Sequence, residues 1–399
     1  MPLEAPKELT KDDLEELLQR KVESFTSCPL TSPGENFGSL LLLVNATLLP
    51  DHQKLSIAAK LVVTKNLMGG VPPFRDFMRK EMDMYLRIRS EILAIQEEFK
   101  IPKELYLDVI PRCYGARTSR GGGVVKPVDE TAVILMENLN VSGYRLVDRI
   151  VGMDLKHTEC VVTHLARFQA MFVVFKLKKP DFFKNAVLPT TAEINHGPPP
   201  NKSDSDDSLT TMLRTTLSCV PAVVENIDRI KVAIIKAREN VHIKPLKKLE
   251  NPTPPSSTMT FGQTILKLID FQMTSYGSPA TDLISFLYSS TSLDVTKDDR
   301  IRLIKLYHQE FTKWLELFGC DTTPFSYEAF MKEVEIVAPL QFMRVLFMLR
   351  IFCMSKSNPP DINNPAAFHK MKTDNTGLGE IYFNKIERLV RESIEMNWI

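Results

Sequence analysis

The sequence has no run near the roughly 20 apolar residues that span a bilayer. Its longest apolar runs, at 40–44, 170–175 and 345–349, suit core strands or parts of core helices. It has no excess of one charge either. Fifty basic residues face 49 acidic ones, for a formal net charge of +1, and that balance argues against a broad nucleic-acid footprint. The six cysteines, at 28, 113, 160, 219, 320 and 353, include no CxxC pair. Neither a zinc site nor a disulfide framework is indicated. The opening stretch, MPLEAPKELTKDDLEELL, holds six acids before Leu17 and no apolar core, unlike a secretory leader. A cytoplasmic protein with no membrane segment is the expectation. No internal repeat is visible. The absence of any G-x-S-x-G elbow sets aside an α/β hydrolase.

What is there is ordinary globular material, 44% apolar and 25% charged over 399 residues. That length suits two to three domains or one bilobal unit. Thr10, with Asp13 three residues on and Leu14, Leu17, Leu18 and Val22 on one face, predicts a capped amphipathic helix. A turn-rich stretch follows at 28–38. Residues 40–49 and 55–63, split by a polar turn, predict a β-hairpin. Residues 74–100 carry apolar side chains at helical spacing until Pro102. Short strands are expected at 108–114 and 131–139, flanking an exposed loop that contains Gly121, Gly122 and Gly123. Residues 1–139 thus predict an α+β N-lobe, a small antiparallel sheet (β-β-α-β-β) with the helix that bears Glu81 packed on it. Residues 140–399 predict a large helical C-lobe. Its helices are expected at 155–176, 211–241, 280–289, 300–318, 327–353 and 380–396, with a short strand at 264–271. A mobile Pro/Ser/Asp-rich loop is expected within 186–209. The prolines at 245, 252, 254 and 255 exclude regular helix there.

Several residues could carry chemistry. Lys60 lies mid-strand among apolar neighbours and needs an anion, or must snorkel outward as a strand-edge lysine does. Glu81 on the next helix is a solvated helix residue, or the partner of Lys60 in a phosphate clamp. Gly34 and Gly38 in GENFGS, just before Ser39, would let backbone N–H groups approach phosphates; a plain turn explains them equally. No Gly-Lys-[Ser/Thr] follows, so this is not a Walker A loop. Met136, Glu137, Asn138 and Leu139 end an apolar strand whose backbone could meet an adenine edge, or simply complete a core strand. Asp270 ends the apolar strand LIDF, where a carboxylate needs a cation or a turn to cap. Asp282 is a helix cap or a brace for a neighbouring loop.

Taken in order, GENFGS, the Lys60 strand, KEMDMY, VILMENLNVSGY, LARFQAMF and LIDFQMTSYGSPATDLISFLYSS resemble the insect ecdysteroid-kinase-like proteins. That family sits within the choline-kinase-like and aminoglycoside-phosphotransferase-like group. The resemblance runs from Thr10 to Ile399, and its most diagnostic part is the last segment. It implies a protein-kinase-like bilobal fold and transfer of the ATP γ-phosphate to a hydroxyl of a small metabolite, an ecdysteroid in some members. ATP and Mg²⁺ are the implied cofactors. By the same resemblance Lys60 binds phosphates, Glu81 positions it, residues Met136 to Leu139 contact adenine, Asp270 ligates Mg²⁺ and Asp282 braces the catalytic loop.

The family's catalytic segment, similar to His-Gly-Asp-x-Trp-x-Asn-Asn, belongs just before the LIDF strand. Here residues 243–269 contain no His and, before Asp270, no Asp. Asn251 is the only asparagine there, and Met259 to Phe261 resemble the remnant of the segment's end. The catalytic region, 244–263, is thus shortened, and Gln169 replaces the family's usual His. A site without its hydroxyl-orienting acid loses nucleophile placement. The expectation is an inactive kinase relative, or a splice or gene-model variant of an active one. The alternative is a non-catalytic pseudokinase that binds nucleotide or a lipophilic ligand. The aromatic and Met residues Phe325, Phe330, Phe342, Met343, Phe347, Met348 and Phe352 would serve that alternative, if they are not simply core.

Overall fold

The computed structural model describes residues 9–30, 39–62, 74–124, 127–192, 213–214, 220–243, 252–253, 258–261, 266–354 and 375–399. Helix α1 (Lys11–Leu18) begins with a reciprocal capping box. The Thr10 side chain accepts from the Asp13 N–H, and the Asp13 carboxylate accepts from the Thr10 N–H. Gln19 turns left-handed (φ 54°) and ends the helix, earlier than the sequence spacing predicts. Val22 instead opens a strand, β1 (Val22–Pro29). β1 is a largely exposed edge strand, so it lacks the apolar alternation that would have revealed it.

Strands β2 (Ser39–Leu48) and β3 (Gln53–Val62) form the expected hairpin. With β4 (Cys113–Arg117) and β5 (Val133–Glu137) they complete a five-stranded antiparallel sheet in the order β1-β2-β3-β5-β4. Side chains alternate across it. Ile57, Ala59, Leu61, Val133 and Leu135 join a small core under α1. The opposite face carries Ile134 and Met136 into the main core, and Lys60 shares its parity with that face. The strand expected at 108–114 starts later, at Cys113. Residues before it run elsewhere: the Val109 carbonyl accepts from Leu268 N–H at 2.6 Å.

The long helix is divided into α2 (Phe74–Asp83), a π turn (Met84–Ile88) and α3 (Arg89–Glu98). Met78, Met82, Ile88, Ile92 and Ile95 are buried as expected. Leu86 and Leu93 are only half-buried, and Met84 is buried in addition.

The larger part contains β6 (Arg145–Leu146), α4 (Leu155–Lys178), α5 (Pro221–Ile243), β7 (Pro252–Thr253), β8 (Thr258–Phe261), β9 (Leu266–Ile269) and β10 (Ser275–Tyr276). It ends with α6 (Ala280–Ser289), α7 (Lys297–Leu317), α8 (Tyr327–Cys353) and α9 (Glu380–Glu395). β6, β8 and β9 form a small sheet, and β7 pairs with β10. α4 and α8 reach mean hydropathies of 1.4 and 1.7 and are apolar enough to cross a bilayer by length and composition. More than half of each apolar window is buried in the fold, so core packing accounts for that apolarity. The loop expected at 186–209 begins later than the sequence suggests. Phe183–Val187 is a π turn and Leu188–Thr191 is helical; Pro189 is tolerated in that first turn because its missing N–H would have had no partner there. Residues 193–209 lie outside the described residues. Of the shortened region 244–263, only β7 and β8 are described.

Candidate active site

Three charged side chains from three distant segments meet in one place. Lys60 of β3 donates from Nζ to Glu81 Oε2 at 2.5 Å and to Asp270 Oδ1 at 2.8 Å. Lys60 and Glu81 are buried, whereas the Asp270 side chain keeps 37% of its exposure. Burial alone would pull the lysine pKa down. The Glu81 and Asp270 carboxylates outweigh it and hold Lys60 protonated, above the usual lysine range. An ammonium so placed is costly to leave unpaired.

The backbone explains why each group arrives. Parity on β3 turns Lys60 toward α2. Glu81 stands near the C-terminal end of α2, and Tyr85 in the π turn supports it, with the hydroxyl 3.4 Å from Glu81 Oε1. π turns recur at functional sites. Asp270 follows β9 in a left-handed conformation (φ 68°, ψ 59°), a region that aspartate tolerates better than most residues. That twist aims the carboxylate back at Lys60 while the next residue, Phe271, is fully buried. Phe271 packs between Tyr85 (5.6 Å, edge-on) and Phe168 (6.2 Å). Beside Glu81, Lys80 is also buried and donates to the Thr274 carbonyl at 2.6 Å. The helix is therefore tied on both sides of this pair to the segment that carries Asp270.

The strand end at Met136 to Leu139 borders the same face. Glu137 N–H donates to the Arg112 carbonyl at 2.9 Å, and Arg112 N–H returns to Glu137 Oε1 at 2.9 Å. The Asn138 and Leu139 carbonyls accept from Val141 and Tyr144 in the following turn. Lys267 of β9, also buried, lies 3.7 Å from Glu137 Oε1 and donates to the Asp108 carbonyl at 2.8 Å. Asp282 contacts neither Lys60 nor Asp270. Its Oδ2 accepts from Gln169 Nε2 at 3.3 Å, and Gln169 Oε1 accepts from the Tyr307 hydroxyl. Burial lifts the Asp282 carboxyl to about 7, against the opposing influence of Arg344 and of the Gln169 amide. Gly34 and Gly38 lie outside the described residues. Ser39 opens β2, with its backbone opposite Val62.

Sequence reasoning missed Lys80, Tyr85, Phe271, Lys267 and the link from Gln169 to Tyr307. Lys267 is a charge within an otherwise apolar strand, the same signal that marked Lys60, whereas Lys80 is one of several charges on a polar helix and gave none. The tyrosines gave none, since an aromatic at helical spacing looks like core.

The donor set also bears on metal binding. Asp270 Oδ1 is taken by Lys60, while Oδ2 accepts from Gln272 Nε2 at 3.4 Å. Among the described residues no three His, Cys, Asp or Glu side chains cluster as a metal cage. One carboxylate fits Mg²⁺ when nucleotide phosphates complete the shell.

The model of the ecdysteroid kinase-like family matches residues 33–267 and 263–320. Among solved structures, the streptomycin-ATP-APH(2")-IIa ternary complex aligns over 84% of this chain and 89% of that chain. The identity is 14% and the TM-score 0.31. No curated protein matches the chain significantly.

Proposed function

This chain belongs to the ecdysteroid kinase-like family, and on that premise we propose that its cleft grips a magnesium-bound ATP. The observation that carries this reading is the single ammonium of Lys60 held between Glu81 and Asp270. In such a site Lys60 binds phosphate oxygens, Glu81 fixes the lysine's direction, and the exposed part of Asp270 faces the metal. Bound Mg²⁺ supplies charge neutralisation between phosphates. The end of β5, Met136 to Leu139, walls the base. The acceptor is a hydroxyl of a small metabolite such as an ecdysteroid.

Transfer is the weak step. The Asp expected to orient the hydroxyl is missing from residues 243–269, whose one acid is Glu250, and proper placement of a nucleophile is commonly worth orders of magnitude in rate. The second reading, a pseudokinase that binds without transferring, draws its support from that same gap.

Thermal shift with Mg-ATP tests the grip. The wild type gains several degrees, while Lys60→Ala and Asp270→Ala gain none. An equal response from all three proteins, or no response from the wild type, would remove the nucleotide site from this cleft.

A further inference from the structure

Lys267 is buried in β9 between Leu266 and Leu268, which both enter the main core. Alternation turns its side chain to the other side of the strand. There Nζ donates to the Asp108 carbonyl at 2.8 Å and lies 3.3 Å from Asp108 Oδ2 and 3.7 Å from Glu137 Oε1. The segment around Asp108 has other holds. Arg89 Nη2 meets the Asp108 carboxylate at 2.9 Å, Arg89 Nε donates to the Ile110 carbonyl at 2.9 Å, and Leu268 N–H donates to the Val109 carbonyl at 2.6 Å. Glu137 has no such alternative, since among the described residues no other cation pairs with it. What falls to Lys267 alone is therefore the carboxylate at the end of β5.

That strand end is already narrowly set. Glu137 Oε1 accepts from Arg112 N–H, and Glu137 N–H donates to the Arg112 carbonyl, both at 2.9 Å. The next side chain is tied as well, with Asn138 Nδ2 donating to Ser56 Oγ at 3.0 Å. A buried ammonium needs its anionic partners, so Lys267 fixes where the end of β5 stands with respect to β9. Asp270 follows on the same stretch of chain, at most about 10 Å away at the rise of an extended strand. A ligand with phosphates at Lys60 and Asp270 and a base at 136–139 would thus have both ends set by one short strand.

We propose that Lys267 is a positioning residue for the nucleobase. It touches neither base nor phosphate, and it sets the strand end against which the base lies. This rests on the nucleotide reading of the cleft, and adds to it a base-dependent share of the affinity that can be removed while the phosphate grip stays.

Calorimetry with Mg-ATP and with Mg-tripolyphosphate, which has the phosphates without base or ribose, tests this. The wild type binds ATP more tightly. Lys267→Met keeps the hydrocarbon stem and removes the ammonium. It weakens Mg-ATP about tenfold, as the loss of one charged hydrogen bond would, and leaves Mg-tripolyphosphate unchanged. Lys60→Ala weakens both. Glu137→Gln takes the charge from the other end of the pair and repeats the Lys267→Met pattern, and it decides if Lys267→Met does not fold. Circular dichroism melts show which variants are folded. Equal weakening of both ligands by Lys267→Met, as from a general loosening, would overturn the proposal. So would undiminished ATP affinity in the folded variant, or equal affinity of the wild type for the two ligands. A wild type that binds neither ligand would remove the nucleotide from this cleft, and the role of Lys267 with it.

Discussion

A buried carboxyl whose hydrogen-bond partner is an amide keeps its proton longer than one that faces a cation. Asp282 is in that position, with burial raising its pKa to about 7 from the ordinary aspartate value of 3.8. A raised acid binds its proton more tightly in the folded state. Its contribution is fully present below about 4, and it is lost as pH rises through 7. The urea midpoint should therefore fall between pH 5 and pH 8, and Asp282→Asn should flatten that slope. An unchanged slope in the variant would mean that another group sets it. Lys385 on α9 is the opposite case. Its ammonium is buried and has no hydrogen-bond partner among the described residues, and burial pulls its pKa down to about 8. The folded state is penalised below that pH and relieved as pH rises toward the usual lysine value. Lys385→Met should raise stability at pH 7 by on the order of 2 kcal/mol, measured by denaturant unfolding. Destabilisation would show that the ammonium has a favourable role.

At the scale of elements, α1 shows how a short helix is fastened. Besides its capping role, Asp13 accepts from Arg117 Nη2 at 2.5 Å and from Arg120 Nη2 at 2.9 Å. Burial works against its charge, but Arg120, the Thr10 N–H and Arg117 hold the Asp13 carboxyl well below the usual range. β4 meets the helix closely. A Cβ on Gly115 would sit 2.2 Å from the Leu17 carbonyl oxygen, so only glycine allows this approach. Asp13→Ala leaves the buried Arg117 short of a partner and should cost about 3–5 kcal/mol. The α1 amides should then exchange faster than those of α4; equal protection would refute the fastening role. The helix start was legible in the sequence because Thr10 and Asp13 are adjacent along the chain. β1 was not, because its partner lies in another segment and its exposed face gives no apolar rhythm. The same reason separates Glu81 from Tyr85. Glu81 is one of several charges on α2 and stands out only as a partner for Lys60, whereas the value of a tyrosine depends on the turn that presents it.

For the whole molecule, the order of motifs made the family and the α+β architecture readable. Lys60, Glu81 and Asp270 could be named singly, but their meeting required the fold, since residues 60 and 270 come together only through tertiary packing. The chain holds β8 and β9 as a hairpin (Thr260 opposite Lys267), and residues 243–269 contain neither His nor Asp, where the sequence resemblance leads one to expect a His-x-Asp segment. Grafting that segment in place of residues 249–257 should therefore produce ADP release with a hydroxylated metabolite, tested on a panel that includes ecdysteroids. The unmodified chain should show none. Robust release from the unmodified chain would mean that another residue places the hydroxyl.

Two adjacent lysine and glutamate residues on one helix, each bonded to a different segment, leave that helix little freedom to swing. Lys80 pins it to the turn after Asp270, and Glu81 pins it to β3. Kinase-like control by rocking this element outward would have to break both anchors at once. If the cleft takes nucleotide as proposed, its occupancy should then track how much nucleotide surrounds the protein, without an on–off lever at this helix.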